Sequence, residues 1–296
     1  MFIAAPSEGS AAVVKVGFFN NYLPAEIEAN VLQVIAERYP ALGVNEVHLV
    51  GTDVTPAWVG VQRGDTDVLV EIALPNQQLL LEKAVGTVVT LGQIYGEAGE
   101  GFFVPRYVLE GPGAKAPGLS RVDQLGSYQE LFDSTLYDEA PGWQTTKDNA
   151  IRLKAYGIAF KQVALSDAAL VAVVTRAADR RQPIVFFFSH PHWLFKRYDL
   201  QKLDEPNPYR DGCFVNGDGR CAVPTFSAWV GARKDLEARA PAFYRMLSHL
   251  RISIDDIESM MLKITTEKQP VREVSARWVD AHRADINQWV KLATGS

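Results

Sequence analysis

The side chains best equipped for chemistry stand together in Ser189-His190-Pro191-His192. They end the apolar run 183–188, which reads as a buried strand stopping abruptly, the place where ligands bind in open α/β sheets. Two histidines invite a metal, but a metal site needs three or four ligands. His48, His249, His282 and the cysteines Cys213 and Cys221 form no ligand-like cluster in the sequence, so neither a metal nor a cofactor is expected. Asn216-Gly217-Asp218-Gly219 carries part of a calcium loop without its distant Glu, and a hairpin turn accounts for it better. The chain lacks Gly-x-Ser-x-Gly, Walker and dinucleotide loops, and no Ser/His pair has nucleophile spacing. Catalysis is therefore not expected. The simpler role for Ser189 and His190 is to satisfy the strand end, and Phe186-Phe187-Phe188 reads as core.

The elements that would position these residues follow an alternating plan. Strands are expected at 13–19, 46–51 and 67–72, separated by an amphipathic helix over 25–38, with Ile27, Val31, Leu32 and Ile35 at helical spacing, and a short helix closed by Gly64. This βαβαβ order predicts a parallel sheet. A helix through Lys83 and strands at 87–91 and 101–108 come next, before the turn-forming stretch 110–118 marks a domain exit. The second α/β set has helices over 120–131, 142–156 and 166–180 and strands at 160–165 and 183–188. A strand at 222–231 could return to the first domain, and helices over 236–250, 254–263 and 271–292 form a tail. The predicted fold is a bilobal α/β protein of the periplasmic-binding-protein type (type II-like), with two hinge crossings. Lobe 1 takes residues 1–108 plus 222–296, and lobe 2 takes 109–221.

Composition narrows the partners. With 296 residues, 47% hydrophobic, the chain can bury two ordinary cores. A formal charge of -5 without basic clusters argues against nucleic acid. No apolar run reaches the roughly 18 to 20 residues of a membrane span, and residues 1–10 lack the pattern of an intact signal peptide. Cys213 and Cys221 bracket a turn-rich loop that could close a disulfide, favouring an extracytoplasmic location, with two free buried thiols as the other reading.

Several stretches, in order, resemble the glycine betaine/proline betaine binding proteins of osmoprotectant ABC importers. They are Gly64-Asp65-Thr66-Asp67-Val68 followed by Pro75, then Pro141-Gly142-Trp143, the run from Pro191 to Leu200, and the tail with Trp278, His282 and Trp289. The resemblance implies an extracytoplasmic or periplasmic monomer that closes on a small ligand and passes it to a membrane permease. It also implies three tryptophans around a quaternary ammonium, held by cation–π attraction, with backbone amides at a helix start for the ligand's carboxylate. Trp143 matches one of the three, and the amides of Gln144 and Thr145 match the helix start. Ala73 and Ser189 stand where the other two tryptophans belong, and Gln77 where some members make a polar contact.

Phe18, Phe19, Tyr22 and Trp58 could refill the space, although Phe18 and Phe19 alternate along a strand and only one should face a ligand. Glu71 could partner a cationic head group or a hydroxyl, and His190 adjoins the site. With two aromatic walls missing, the expected ligand is a quaternary amine or related zwitterion bulkier than glycine betaine. The competing expectation keeps the fold and makes the protein a carrier of an apolar or lipid-like molecule in envelope trafficking.

Overall fold

The computed structural model describes residues 12–295, so the stretch 1–10 read for a signal peptide lies outside the described residues. The chain opens with β1 (Ala12–Phe19), α1 (Leu23–Arg38), β2 (Val44–Thr52), α2 (Val54–Arg63), β3 (Val68–Leu74), α3 (Gln78–Ala84) and β4 (Val88–Ala98). The helical spacing of Ile27, Val31, Leu32 and Ile35 does what it predicts, because all four are buried along α1. Gly64 ends α2 in the left-handed conformation, φ 91°, where an L side chain would be strained.

The chain then builds a second compact unit. It contains β5 (Glu100–Pro105), α4 (Arg106–Leu109), β6 (Thr135–Asp138), α5 (Gln144–Ala155), β7 (Lys161–Ala164), α6 (Asp167–Asp179), β8 (Phe186–Ser189), α7 (Leu194–Arg197) and β9 (Leu200–Lys202). Finally β10 (Phe226–Arg233) returns to the first unit, followed by α8 (Leu236–Arg239), α9 (Pro241–Leu247), α10 (Ile254–Thr266), α11 (Val271–Ala281) and α12 (Arg283–Thr294). The units divide at Ala98 and Thr225, so the chain crosses between them twice.

In the first unit the sheet order is β2-β1-β3-β10-β4. β1 runs parallel to β2 and β3, as the βαβ order requires, whereas β10 lies antiparallel to β3, so the sheet is mixed rather than all parallel. The second unit repeats the plan as β7-β6-β8-β5-β9. There β8 presents Phe187 to one face, against Phe102 at 5.9 Å, and Phe186 and Phe188 to the other. Both faces of this strand are covered, which is why the run is apolar without alternation.

Several expectations need correction. The second unit runs Ala98–Thr225 where 109–221 was expected, because β5 pairs with β8 and β9 rather than with the first sheet. The stretch 120–131 holds only 3-10 turns, Val122–Tyr128 and Glu130–Phe132. The four-residue β6 gave no run long enough to read. The tail helix over 236–250 breaks before Pro241, which has no N–H to continue the ladder, and that over 271–292 breaks at His282. The favoured reading of the cysteines needs none, since Cys213 and Cys221 are joined by a disulfide, S–S 2.09 Å.

Candidate functional site

Each unit gathers polar side chains at the carboxyl edge of its sheet. In the first unit β1 and β3 are parallel and end on the same edge. Close to the end of β3, Glu71 takes a left-handed backbone, φ 57°, which is costly for a residue with a Cβ and is found where structure holds a side chain in a required place. Its carboxylate is 1% exposed and accepts from Tyr95 OH at 2.5 Å and from Tyr22. Glu28 of α1, fully buried, brings a second carboxyl against it. Burial raises both pKa values, and the charge of Glu71 pushes Glu28 up further. Two carboxyls in contact are held together by a shared proton.

Gln77 is fixed beside them. Its Oε1 accepts from Trp58 Nε1 at 2.9 Å, and its Nε2 donates to the Glu71 carbonyl at 3.4 Å. Trp58 is 1% exposed and Phe19 is core, so the half-buried Phe18 and Tyr22 are the aromatics of this loop nearer the surface. Ala73 is half-buried on β3, opposite Ala228 of β10.

In the second unit β6 and β8 run parallel and β5 antiparallel to β8. The ends of β6 and β8 and the start of β5 therefore share an edge, with Glu100 directly across from Ser189. Beyond β6 the chain runs through Glu139 to Trp143, whose indole is 55% exposed just ahead of α5. No side chain caps α5, so its first amides are open, as at any helix start without a capping partner. Gln144 Nε2 donates to Asp148 Oδ1 at 2.8 Å, and the buried Thr145 hydroxyl has no partner among the described residues.

The electrostatics of this edge are dominated by acids. Ser189 Oγ donates to Glu139 Oε1 at 3.1 Å, while Glu139 Oε2 is buried and accepts nothing among the described residues. Burial, then the negative charges of Glu100 and Asp138, push Glu139 up to about 8, with the Ser189 hydrogen bond pulling the other way. Burial likewise takes Glu100 to about 7, with Lys202 and Arg152 opposing it. Asp138 is held by Asn149 Nδ2 at 3.0 Å and Gln162 Nε2 at 2.7 Å. Besides Lys202, the counter-charge is Arg152, fully buried, paired with Glu205 and lying 4.2 Å over the Phe102 ring. Burial lowers it to about 10, so it is still a cation at neutral pH.

The histidines have other duties. His190 follows β8 with its ring stacked on Phe195 at 3.7 Å. His192 packs on Phe188, its Nδ1 accepts from Leu194 N at 3.2 Å, and burial lowers its pKa to about 3, keeping it neutral. Among the described residues no group of three His, Cys, Asp or Glu is arranged to hold a metal.

Of the ten residues singled out in the sequence, Phe19, Tyr22, Glu71, Ala73 and Gln77 belong to the first unit, and Trp143, Gln144, Thr145, Ser189 and His190 to the second. Sequence reasoning missed Glu28, Tyr95, Glu100, Asp138, Glu139 and Arg152. Asp138-Glu139, three residues before Gly142-Trp143, was the legible signal for the second edge.

A family model described as the substrate binding domain of ABC-type glycine betaine transport system, OpuAC, matches residues 13–281. Over 124 residues the chain is 24% identical to the glycine betaine/carnitine transport binding protein GbuC of Listeria monocytogenes serotype 1/2a (strain 10403S); the match covers 42% of this chain and 37% of that protein. Lactococcal OpuAC, in its closed-liganded conformation with glycine betaine, superimposes with a TM-score of 0.71 at 23% identity, covering 94% of this chain and 99% of that one. ProX, the glycine/betaine/L-proline-binding protein from Borrelia burgdorferi, gives 0.68 at 21%, covering 96% and 100%. At these identities the solved structures share the fold, a two-unit periplasmic-binding-protein architecture. Among the described residues no helix is long and apolar enough to cross a membrane.

Proposed function

The chain belongs to the OpuAC family, the substrate binding domains of ABC-type glycine betaine transport systems, and from that premise we propose that it captures a quaternary amine or related zwitterion bulkier than glycine betaine. It works outside the cytoplasm, in a periplasm or another extracytoplasmic setting, and hands the ligand to the permease of an ABC importer. The family consists of binding components, not enzymes, and the chemistry asked of this chain is recognition.

The observation that carries the reading is Trp143. Its indole stands 55% exposed immediately before the uncapped start of α5, which offers a cation an aromatic face and a carboxylate or hydroxyl the first amides of a twelve-residue helix. Ala73 and Ser189, where the resemblance calls for two further indoles, supply far smaller side chains and leave room for a larger ligand. A ligand that prefers one conformation of the protein shifts the population toward it, giving the permease a state to recognise. The disulfide between Cys213 and Cys221 suits an oxidising compartment.

A thermal-shift screen of betaines, choline, carnitine and amine oxides tests this, since a ligand at a hundredfold its Kd adds about 2.7 kcal/mol of stability. At least one amine should raise the melting temperature, and Trp143→Ala should cut the shift by about half or more at the same ligand concentration. A screen in which only lipids raise it would sink the reading in favour of an apolar carrier.

A further inference from the structure

The carboxyl groups at the two edges can attract a fully methylated cation by charge alone, because it offers them no hydrogen bond. A quaternary ammonium carries no N–H and is recognised by ring faces. Yet at the end of β8, where the resemblance calls for a ring, Ser189 instead ties down one oxygen of Glu139 and leaves the other buried and without a donor among the described residues. A buried acceptor in that state is costly unless something supplies its hydrogen bond. Glu100, directly across from Ser189 on β5, adds a second acid to the same edge. The edge of the first unit gathers acids too, but there Glu28 is held by side-chain and backbone hydrogen bonds to Glu71. Of the two near cations, Arg152 is already committed to Glu205 and Asn149, and Lys202 acts on Glu100.

We propose that the captured amine keeps at least one N–H, donated to Glu139 Oε2, so that a charge-assisted hydrogen bond replaces the cation–π contacts of a missing indole. This rests on the zwitterion half of the proposed function and sets aside its quaternary half, so that tightest binding of a quaternary amine would leave the proposed function intact and remove only this inference. A primary, secondary or tertiary ammonium, or a guanidinium, fits; a trimethylammonium does not. Binding places a positive charge beside a carboxyl that burial holds up to about 8, so at neutral pH the protein gives up a proton as the ammonium enters. Affinity for N–H amines then rises with pH up to that value and levels off above it.

The test is calorimetric titration along two methylation ladders: sarcosine, N,N-dimethylglycine and glycine betaine, and lysine with its Nε-trimethyl derivative. N–H-bearing members should bind at least about tenfold more tightly than the permethylated one, in line with a charge-assisted bond. In buffers of different ionisation enthalpy they should release protons. Glu139→Gln, isosteric and checked for a cooperative melting curve without ligand, should erase the preference and the proton release. Tightest binding by the permethylated member of either ladder, or an unaltered preference in Glu139→Gln, would overturn this inference and leave the amine reading standing. If no amine of any methylation state binds, the amine reading falls and the inference with it.

Discussion

Replacing Arg152 by Met should destabilise the second unit by about 3 to 5 kcal/mol at pH 7. The guanidinium is fully buried, paired with Glu205, donates to Asn149, and lies 4.2 Å over Phe102. Methionine keeps much of the contact with the ring but leaves Glu205, whose side chain is 9% exposed, and the acids of the neighbouring edge without their cation. Removing one partner of a buried pair costs about 3 to 5 kcal/mol because the remaining charge is uncompensated. The sign with pH follows. Burial already raises Asp138, and loss of the Arg152 charge, which opposes that shift, raises it further. An acid whose folded pKa is raised contributes stability at low pH and loses it as pH rises through that pKa. The penalty should therefore shrink from pH 7 to pH 5. Urea unfolding read by hydrogen exchange within Ala98–Thr225 isolates this unit, since a two-unit chain need not unfold in one step. A loss under about 1 kcal/mol, or one unchanged with pH, would refute the electrostatic account of Arg152.

Two further outcomes are expected. With Glu100 held up to about 7 and Glu139 to about 8, the wild-type second unit should lose stability as pH rises from 5 to 8.5, and Glu139→Gln should flatten that slope in urea midpoints, whereas an identical slope would show that Glu139 does not titrate in this window. Replacing both Cys213 and Cys221 by Ser opens a short loop, sequence separation 8, and should cost about 2 to 3 kcal/mol; equal melting temperatures under reducing and oxidising conditions would contradict it.

The sequence carried the frame further than the site. Helical spacing placed α1, the glycine stop ended α2, and alternation of strands and helices made β1, β2 and β3 parallel. Short elements were illegible for a physical reason: β6 has four residues, and its pairing partners β7 and β8 lie far along the chain. The last tail helix was drawn too long because a break at His282 needs no proline or glycine and shows only in tertiary packing, whereas the break at Pro241 was there to be read. Trp143 could be singled out because Pro141-Gly142 and a helix start surround it in sequence. Glu28, Glu71 and Tyr95 could not be grouped, because α1, β3 and β4 bring them together from distant positions and burial, not spacing, makes them unusual. His190 and His192 drew attention by type, but the ring contacts that occupy them have no signature in sequence.

The most direct measurement is isothermal titration of wild-type protein and Trp143→Ala with the amine that gives the largest thermal shift. An indole face is worth roughly 0.5 to 2 kcal/mol to a bound cation, more with the apolar contact it buries. The account predicts a single equivalent bound by wild type and an affinity at least about tenfold weaker in the variant. Equal affinity in the two proteins would contradict it, because the ligand would then be held by residues other than those at the start of α5.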